Sequence, residues 1–312
     1  MQKLDQALVA RPSAMLSQSR TGLRASFRRY RLPYLLLLPA LVLLLTFLFW
    51  PLLSLLWFGL RKTELDGSSQ FVGLANYRLL FNEERFIQNL SSTLQYVIGV
   101  LVLSVPLAYF AAVLISSRLR GASLFRTLFL FPWIIAPVVS AILFRTLVDA
   151  TNGPVTLLLK LLTGKNIYLM IDPQLSMLVV IVHSAWRSFP LEMLLIAAGI
   201  TAIPVELYEA AKVDGASLWQ QFTQITLPLT KVPLFSAMLT ITIYTLQDAE
   251  GAYALTGGGP GYSTEVTGVR LFKEAFLYFN VGLASSIGTI LIIVSILFMI
   301  FYLRVLGQGE AQ

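Results

Sequence analysis

Residues 203–228 read IPVELYEAAKVDGASLWQQFTQITLP, a polar interlude between two apolar runs. Pro204 stands where a proline suits a helix start, residues 205–214 contain no helix breaker, and Gly215 suits the left-handed conformation that closes a helix. A second short helix fits residues 216–224, before Leu227 and Pro228 open the next apolar run. The segment therefore reads as two short helices bent around one glycine. On the first, Leu207, Ala210, Ala211 and Asp214 lie close in angle, and the small Ala210 and Ala211 leave room for close packing. On the second, Trp219 and Phe222 place an aromatic pair on one face. Together they make a docking surface with no visible chemistry.

What surrounds this stretch decides the fold class. Hydrophobic residues make up 56% of the 312 and charged residues 12%, with a mean hydropathy of +0.75. In soluble domains charged residues alone approach about 25%, so the chain reads as an all-α integral membrane protein. Cysteine is absent, which excludes disulfides, thiolate metal sites and a Cys nucleophile. The single His183 cannot build a histidine metal cluster. No metal site and no catalytic residue is expected.

Six apolar runs cover residues 34–60, 93–115, 128–147, 174–201, 227–246 and 281–303, each near or above the roughly 20 residues that a span needs. They divide the chain into a basic arm (1–32), a membrane domain (33–305) and a short tail (306–312). The arm carries Lys3, Arg11, Arg20, Arg24, Arg28, Arg29 and Arg31 against Asp5. With Arg118, Arg120, Arg126, Lys212, Lys231 and Arg304 it defines one side of the membrane. The other side holds Arg61, Lys62, Arg78, Arg85, Lys160, Lys165, Arg270 and Lys273, largely balanced by acids. This bias predicts six transmembrane helices with both termini inside, and it makes the formal charge of +7 an orientation signal rather than a nucleic-acid footprint. The third run contains Pro132 and Pro137, whose lost backbone bonds neighbours must meet. Residues 155–162 are apolar but too short to cross and read as a helix on the outer surface. Ala284, Ser285, Gly288 and Thr289 give the last span a small-residue face. The glycines at 257–259 lack the lysine of a phosphate-binding loop.

Glu209-Ala210-Ala211, Gly215, Ile225, Leu227 and Pro228 resemble, at every one of those spacings, the EAA loop of permeases of ATP-binding-cassette (ABC) importers. Two shorter elements resemble carbohydrate-type members of that family: Gly73-Leu74-Ala75-Asn76-Tyr77 after the first run, and Leu255-Thr256-Gly257-Gly258-Gly259-Pro260 after the fifth. The resemblance covers residues from about 33 to 303. It implies the type I importer permease fold, with residues 203–228 as a cytoplasmic coupling loop in which Glu209, Ala210, Ala211, Asp214, Gly215, Ile225, Leu227 and Pro228 meet an ATPase. It further implies a second permease, expected to be non-identical, two ATP-binding subunits that hold ATP and Mg, and an external solute-binding protein. This chain itself holds no cofactor, in a bacterial or archaeal cytoplasmic membrane.

The family's solute-lining positions fall around Trp186-Arg187-Ser188-Phe189-Pro190-Leu191 and just before the Gly-Gly-Pro turn, nominating Arg187, Ser188, Leu191, Leu246, Gln247 and Glu250. Arg187 and Glu250 are ionisable and Leu191 and Leu246 apolar, unlike the maltose-permease pattern, so the resemblance supports a location and leaves the ligand open. Polar groups there suit sugar hydroxyls in a wet cavity and aromatic faces suit sugar rings. The alternative for Arg187 is a pairing with Glu192 or Glu250 that holds helices together. His183 and Glu192 are further candidates, because ionisable residues inside a membrane are functional suspects by default. A different function class, an ion-coupled secondary carrier, would use Glu192, Asp248 and Glu250, but the repeated halves common in such carriers are not evident. A membrane hydrolase lacks any nucleophile–base pattern.

Overall fold

The computed structural model describes residues 31–63, 68–117 and 121–309. Most of the basic arm (1–30), Arg118, Arg120 and the last three residues of the tail lie outside them. The chain divides into two compact units, residues up to Ser54 and residues from Leu55 onward.

In the first unit, α1 (Arg31–Leu44) passes through a π turn (Leu45–Phe49) into α2 (Trp50–Gly59), whose residues from Leu55 onward belong to the second unit. Apart from Thr46, its side chains from Leu35 to Leu53 are apolar, and all are exposed, the surface expected of a helix whose solvent is hydrocarbon.

In the second unit a two-stranded hairpin pairs β1 (Arg61–Thr63) with β2 (Ser69–Phe71) antiparallel, Lys62 opposite Gln70. Helix α3 (Ala75–Asn82) follows, and its Asn76 donates to the carbonyls of Gly59 (3.0 Å) and Arg61 (2.8 Å), tying the hairpin to the end of α2. Two long helices then make the centre: α4 (Glu84–Ser116) and α8 (Pro173–Thr201). They approach so closely that a Cβ on Gly99 would lie 2.6 Å from Ile181 Cδ1. Asp172 caps α8, accepting from the backbone of Gln174 (2.9 Å) and Leu175 (3.0 Å), with Pro173 at the first helical position.

Between them lie α5 (Ala122–Ile134), α6 (Pro137–Leu147) and the short apolar α7 (Pro154–Thr163). The third apolar run is thus a bent pair rather than one straight helix: α5 and α6 meet at 96°. The cause is local, since Pro137 forces Ala136 out of the helical region (ψ 139°) and Ile135 follows it (ψ 132°).

After α8 come α9 (Val205–Val213) and α10 (Leu218–Leu229, with a π turn over Phe222–Thr226). Helix α11 (Lys231–Gln247) then starts at Thr230, bent 65° from α10. Leu227 and Pro228, where the sequence reading opens the fifth span, lie in the last turn of α10, before the bend. Helices α12 (Glu250–Thr256), α13 (Thr267–Phe276) and α14 (Val281–Gly309) complete the chain.

Among the described residues four helices are long and apolar enough to cross a membrane, or up to six spans if each bent pair counts as one. The core runs along α4 and α8. One cluster gathers Tyr96, Val100, Met177, Val180, Ile241 and Leu255; a second gathers Ala108, Ala112, Phe189, Met193 and Ala237. On α14, Ala284, Ser285 and Thr289 are buried, and a Cβ on Gly288 would meet Leu55 at 2.9 Å.

Candidate functional site

Midway along α8, Arg187 opens into a cleft of about 550 Å³. The end of α11 supplies Tyr244, Gln247 and Asp248, α12 supplies Glu250, and α13 supplies Phe272 and Phe276. The Arg187 side chain is 8% exposed, with its guanidinium 5.5 Å from the Tyr244 ring centroid, a cation–π distance. Among the described residues Arg187 makes no ion pair, so pairing with Glu192 or Glu250 is not seen. Asp248 is fixed from behind: the Tyr96 hydroxyl donates to its Oδ2 (2.6 Å) and the Gly251 backbone N–H to its Oδ1 (3.2 Å). Close approach of α13 depends on Gly268, where a Cβ would lie 2.7 Å from the Asp248 carbonyl oxygen.

Of the nominated solute-lining residues, Arg187, Gln247 and Glu250 come together here. Ser188 is buried, its hydroxyl turned to the Ala185 carbonyl at 3.4 Å, and Leu191 is half-buried away from the cleft. Leu246 faces a separate apolar cavity of about 150 Å³ with Leu90, Val97 and Ile290. Adjacent residues on a helix diverge by about 100°, so Leu246 and Gln247 cannot share a face. The same periodicity would have found Tyr244, three residues before Gln247, and the i, i+4 pair Phe272 and Phe276, whose centroids are 5.1 Å apart. Beside the cleft, His183 is buried, 2.9 Å from Ser140 Oγ. Because that hydroxyl donates to the Pro137 carbonyl at 2.8 Å, His183 Nε2 is the donor. Glu192 is 1% exposed, with neither carboxylate oxygen hydrogen-bonded among the described residues.

At the C-terminal end of α4, residues 203–228 form the second candidate. Gly215 has φ +77°, which lets Ala216 N–H reach back to the Ala211 carbonyl at 2.8 Å. Ser217 then starts α10 with a capping box: its hydroxyl accepts from Gln220 N–H while Gln220 Oε1 accepts from Ser217 N–H at 2.7 Å. That Ser-x-x-Gln signal was present in the sequence and marks the start two residues later than expected. Helix α9 has no buried residue; Glu209, Ala210 and Asp214 are exposed and Ala211 half-buried. Of the remaining nominated positions, Ile225, Leu227 and Pro228 are half-buried on α10. Trp219 stacks on Phe222 at 5.7 Å and is 71% exposed.

Hydroxyls tie this loop to the bundle. Thr230 Oγ1 donates to the Thr226 carbonyl (2.7 Å), so the Tyr109 hydroxyl is the donor in its 2.6 Å bond to Thr230. Tyr208 on α9 reaches Thr226 Oγ1 at 2.9 Å, and Phe222 meets the Tyr109 ring edge-on at 5.5 Å.

The N-terminal end of α4 carries a third feature that local sequence patterns did not reveal. Glu265 is fully buried and accepts two parallel bonds from Arg85 (both 2.8 Å), one from Lys273 (2.7 Å) and one from Asn89 (3.1 Å). Burial alone pushes its carboxyl up, but the bonds from Arg85, Lys273 and Asn89 outweigh burial and hold it at about 2. Next to it Arg270 bridges Glu83 (3.2 Å) and Glu274 (2.7 Å). Three cations thus meet three carboxylates.

Residues 71–309 match the family model of the binding-protein-dependent transport system inner membrane component. The chain is 32% identical over 286 residues to the trehalose/maltose transport system permease protein MalF of Thermococcus litoralis, covering 90% of this chain and 96% of that one. It is 30% identical over 275 residues to the sn-glycerol-3-phosphate transport system permease protein UgpA of Agrobacterium fabrum, covering 88% and 94%. Among solved structures, a chain of a bacterial alginate ABC transporter, in complex with an alginate pentasaccharide-bound periplasmic protein, superposes with a TM-score of 0.76 at 23% identity, covering 90% of this chain and 95% of that one. The chain belongs to the inner membrane components of binding-protein-dependent transport systems, and its fold is that of an ABC importer permease.

Proposed function

We propose that this chain forms half of the translocation path for a sugar, or a related polyol or glycoside, handed over by an external binding protein and moved by ATP hydrolysed on partner subunits. The single observation that carries the coupling is α9: a helix with no buried residue, joined to α10 through a glycine at positive φ. A surface helix with no fully buried residue in its own chain leaves most of its area free to gain stability from a partner. In this reading Glu209, Ala210, Ala211, Asp214, Gly215, Ile225, Leu227 and Pro228 meet the ATPase, both termini lie inside, and the charged end of α4 faces out. A second permease, expected to be non-identical, completes the path; ATP and Mg stay on the ATPases, and this chain is not itself an enzyme. The names of the relatives, which include a trehalose/maltose permease, support a carbohydrate cargo.

The experiment is labelled-sugar uptake in proteoliposomes holding this chain, its partner permease, the ATPases and the binding protein. Uptake should need ATP and the binding protein. It should vanish in Gly215→Pro, because proline fixes φ near −65° and removes the N–H that now bonds the Lys212 carbonyl at 3.1 Å. Unchanged uptake in that variant, or uptake by this chain alone driven by a proton or sodium gradient, overturns the reading.

A further inference from the structure

Resting on that reading, we propose that the Arg187 cleft takes an uncharged polyhydroxylated ring and rejects sugar phosphates and sugar acids. The charge count around the cleft is the starting point. Its lining includes one cation, Arg187, against two carboxylates, Asp248 and Glu250. The cations closest in sequence to the Phe272 wall are already spent, Arg270 on Glu83 and Glu274, Lys273 on Glu265. An arriving phosphate or carboxylate would meet a net negative wall while leaving water, and desolvation makes that repulsion larger than it is in bulk solvent.

A neutral polyol faces the opposite situation. Arg187 is nine-tenths buried, has no acidic partner among the described residues, and presents donors that a sugar hydroxyl oxygen accepts. Asp248, held in place by Tyr96, and Glu250 accept from hydroxyl protons, and Gln247 does both. Each hydroxyl is donor and acceptor at once, so a vicinal diol placed between guanidinium and carboxylate satisfies both charges without adding one. The rings of Phe272, Phe276 and Tyr244 supply apolar faces for the C–H side of a pyranose. The volume of about 550 Å³ falls inside the range of about 300–1,000 Å³ usual for small-molecule sites.

The test uses the detergent-purified transporter, this chain with its partner permease and ATPases, without the external binding protein, so that the selectivity of that protein does not enter. Saturation-transfer NMR is recorded with two uncharged probes, trehalose and maltose, and two anionic ones, sn-glycerol 3-phosphate and an alginate trisaccharide. At least one uncharged sugar should bind. Its affinity should fall about tenfold in Arg187→Ala, and Glu250→Lys should gain about tenfold for sn-glycerol 3-phosphate, each equal to one decade of binding constant. Wild-type protein that binds either anionic probe more tightly than both sugars overturns the uncharged class and leaves the carbohydrate reading standing. If none of the four binds while the complex carries a non-sugar solute, the carbohydrate reading itself fails.

Discussion

The two ends of α4 lie about 50 Å apart and are finished in opposite ways. At the N-terminal end Arg85 and Asn89 close on a fully buried Glu265, reinforced by Lys273 and flanked by Arg270, Glu83 and Glu274. At the C-terminal end Tyr109 reaches a chain of threonine hydroxyls and the edge of Phe222, beside a helix with no fully buried residue. Removing one member of a buried ion network strands the others, so it has one good arrangement. Hydroxyl bonds contribute about 0.5–1.5 kcal/mol each and re-form with new partners cheaply. The charged end has one good arrangement, and the hydroxyl end can rearrange at low cost.

The largest effect should come from Glu265→Ala, which leaves Arg85 and Lys273 facing each other without their shared carboxylate. Thermal unfolding in detergent should show a loss of about 3–5 kcal/mol. Glu265→Gln keeps the shape and isolates the charge. Because the folded carboxyl sits at about 2 against an ordinary 4.5, the charge stabilises the fold fully above about pH 4.5, and that benefit drains away as pH falls toward 2. The melting-temperature gap between wild type and Glu265→Gln should therefore be level from pH 5 to 8 and shrink below that. A gap already closed at pH 5.5 would mean the network does not hold the carboxyl down, and the contrast between the two ends would lose its basis.

Gly215→Ala sharpens the other side. Nothing lies within 4 Å of a Cβ built there, so the cost is backbone strain at φ +77° alone, about 1–2 kcal/mol for a non-glycine residue. Bundle stability should barely change, while ATP-driven uptake falls roughly five- to thirtyfold, the factor that energy represents. Equal loss of melting temperature and uptake would show that the loop is part of the rigid framework after all.

Much of this contrast could be read in the chain beforehand, and the unread part has a physical cause. Apolar run length and the proline, glycine and alanine pattern of residues 203–228 act locally, so the helical class, the long apolar helices and the bend at Gly215 were visible. Pro132 and Pro137 were both noticed, yet which one breaks the helix was not: Pro132 sits inside α5, whereas Pro137 opens α6 after a 96° turn. Arg85 and Glu265 are 180 residues apart, and no periodic pattern records that they meet. Of the positions the resemblance nominates, Arg187, Gln247 and Glu250 line the cleft while Ser188, Leu191 and Leu246 do not, because position along a chain does not say which helical face is turned inward. Asp248 was weighed only for an ion-coupled carrier, and its place in the cleft beside Arg187 needed the packing of α11 against α8.

The smallest effect tests whether the hydroxyl chain acts as one unit. Tyr109→Phe keeps the edge-on contact with Phe222 and removes a single donor, and Thr230→Val removes the bonds to both Tyr109 and the Thr226 carbonyl. Each should cost about 0.5–1.5 kcal/mol, seen as faster amide exchange across the Phe222–Thr226 turn and as more ATP hydrolysed per solute moved. Since Tyr109 has no threonine hydroxyl left to bond once Thr230 is valine, the double variant should be less damaged than the sum of the two, by about 0.5 kcal/mol or more. Strict additivity would mean that Tyr109 and Thr230 act separately. The loop would then be tied to α4 through the Phe222 ring alone, and Phe222→Ala would become the variant that frees it.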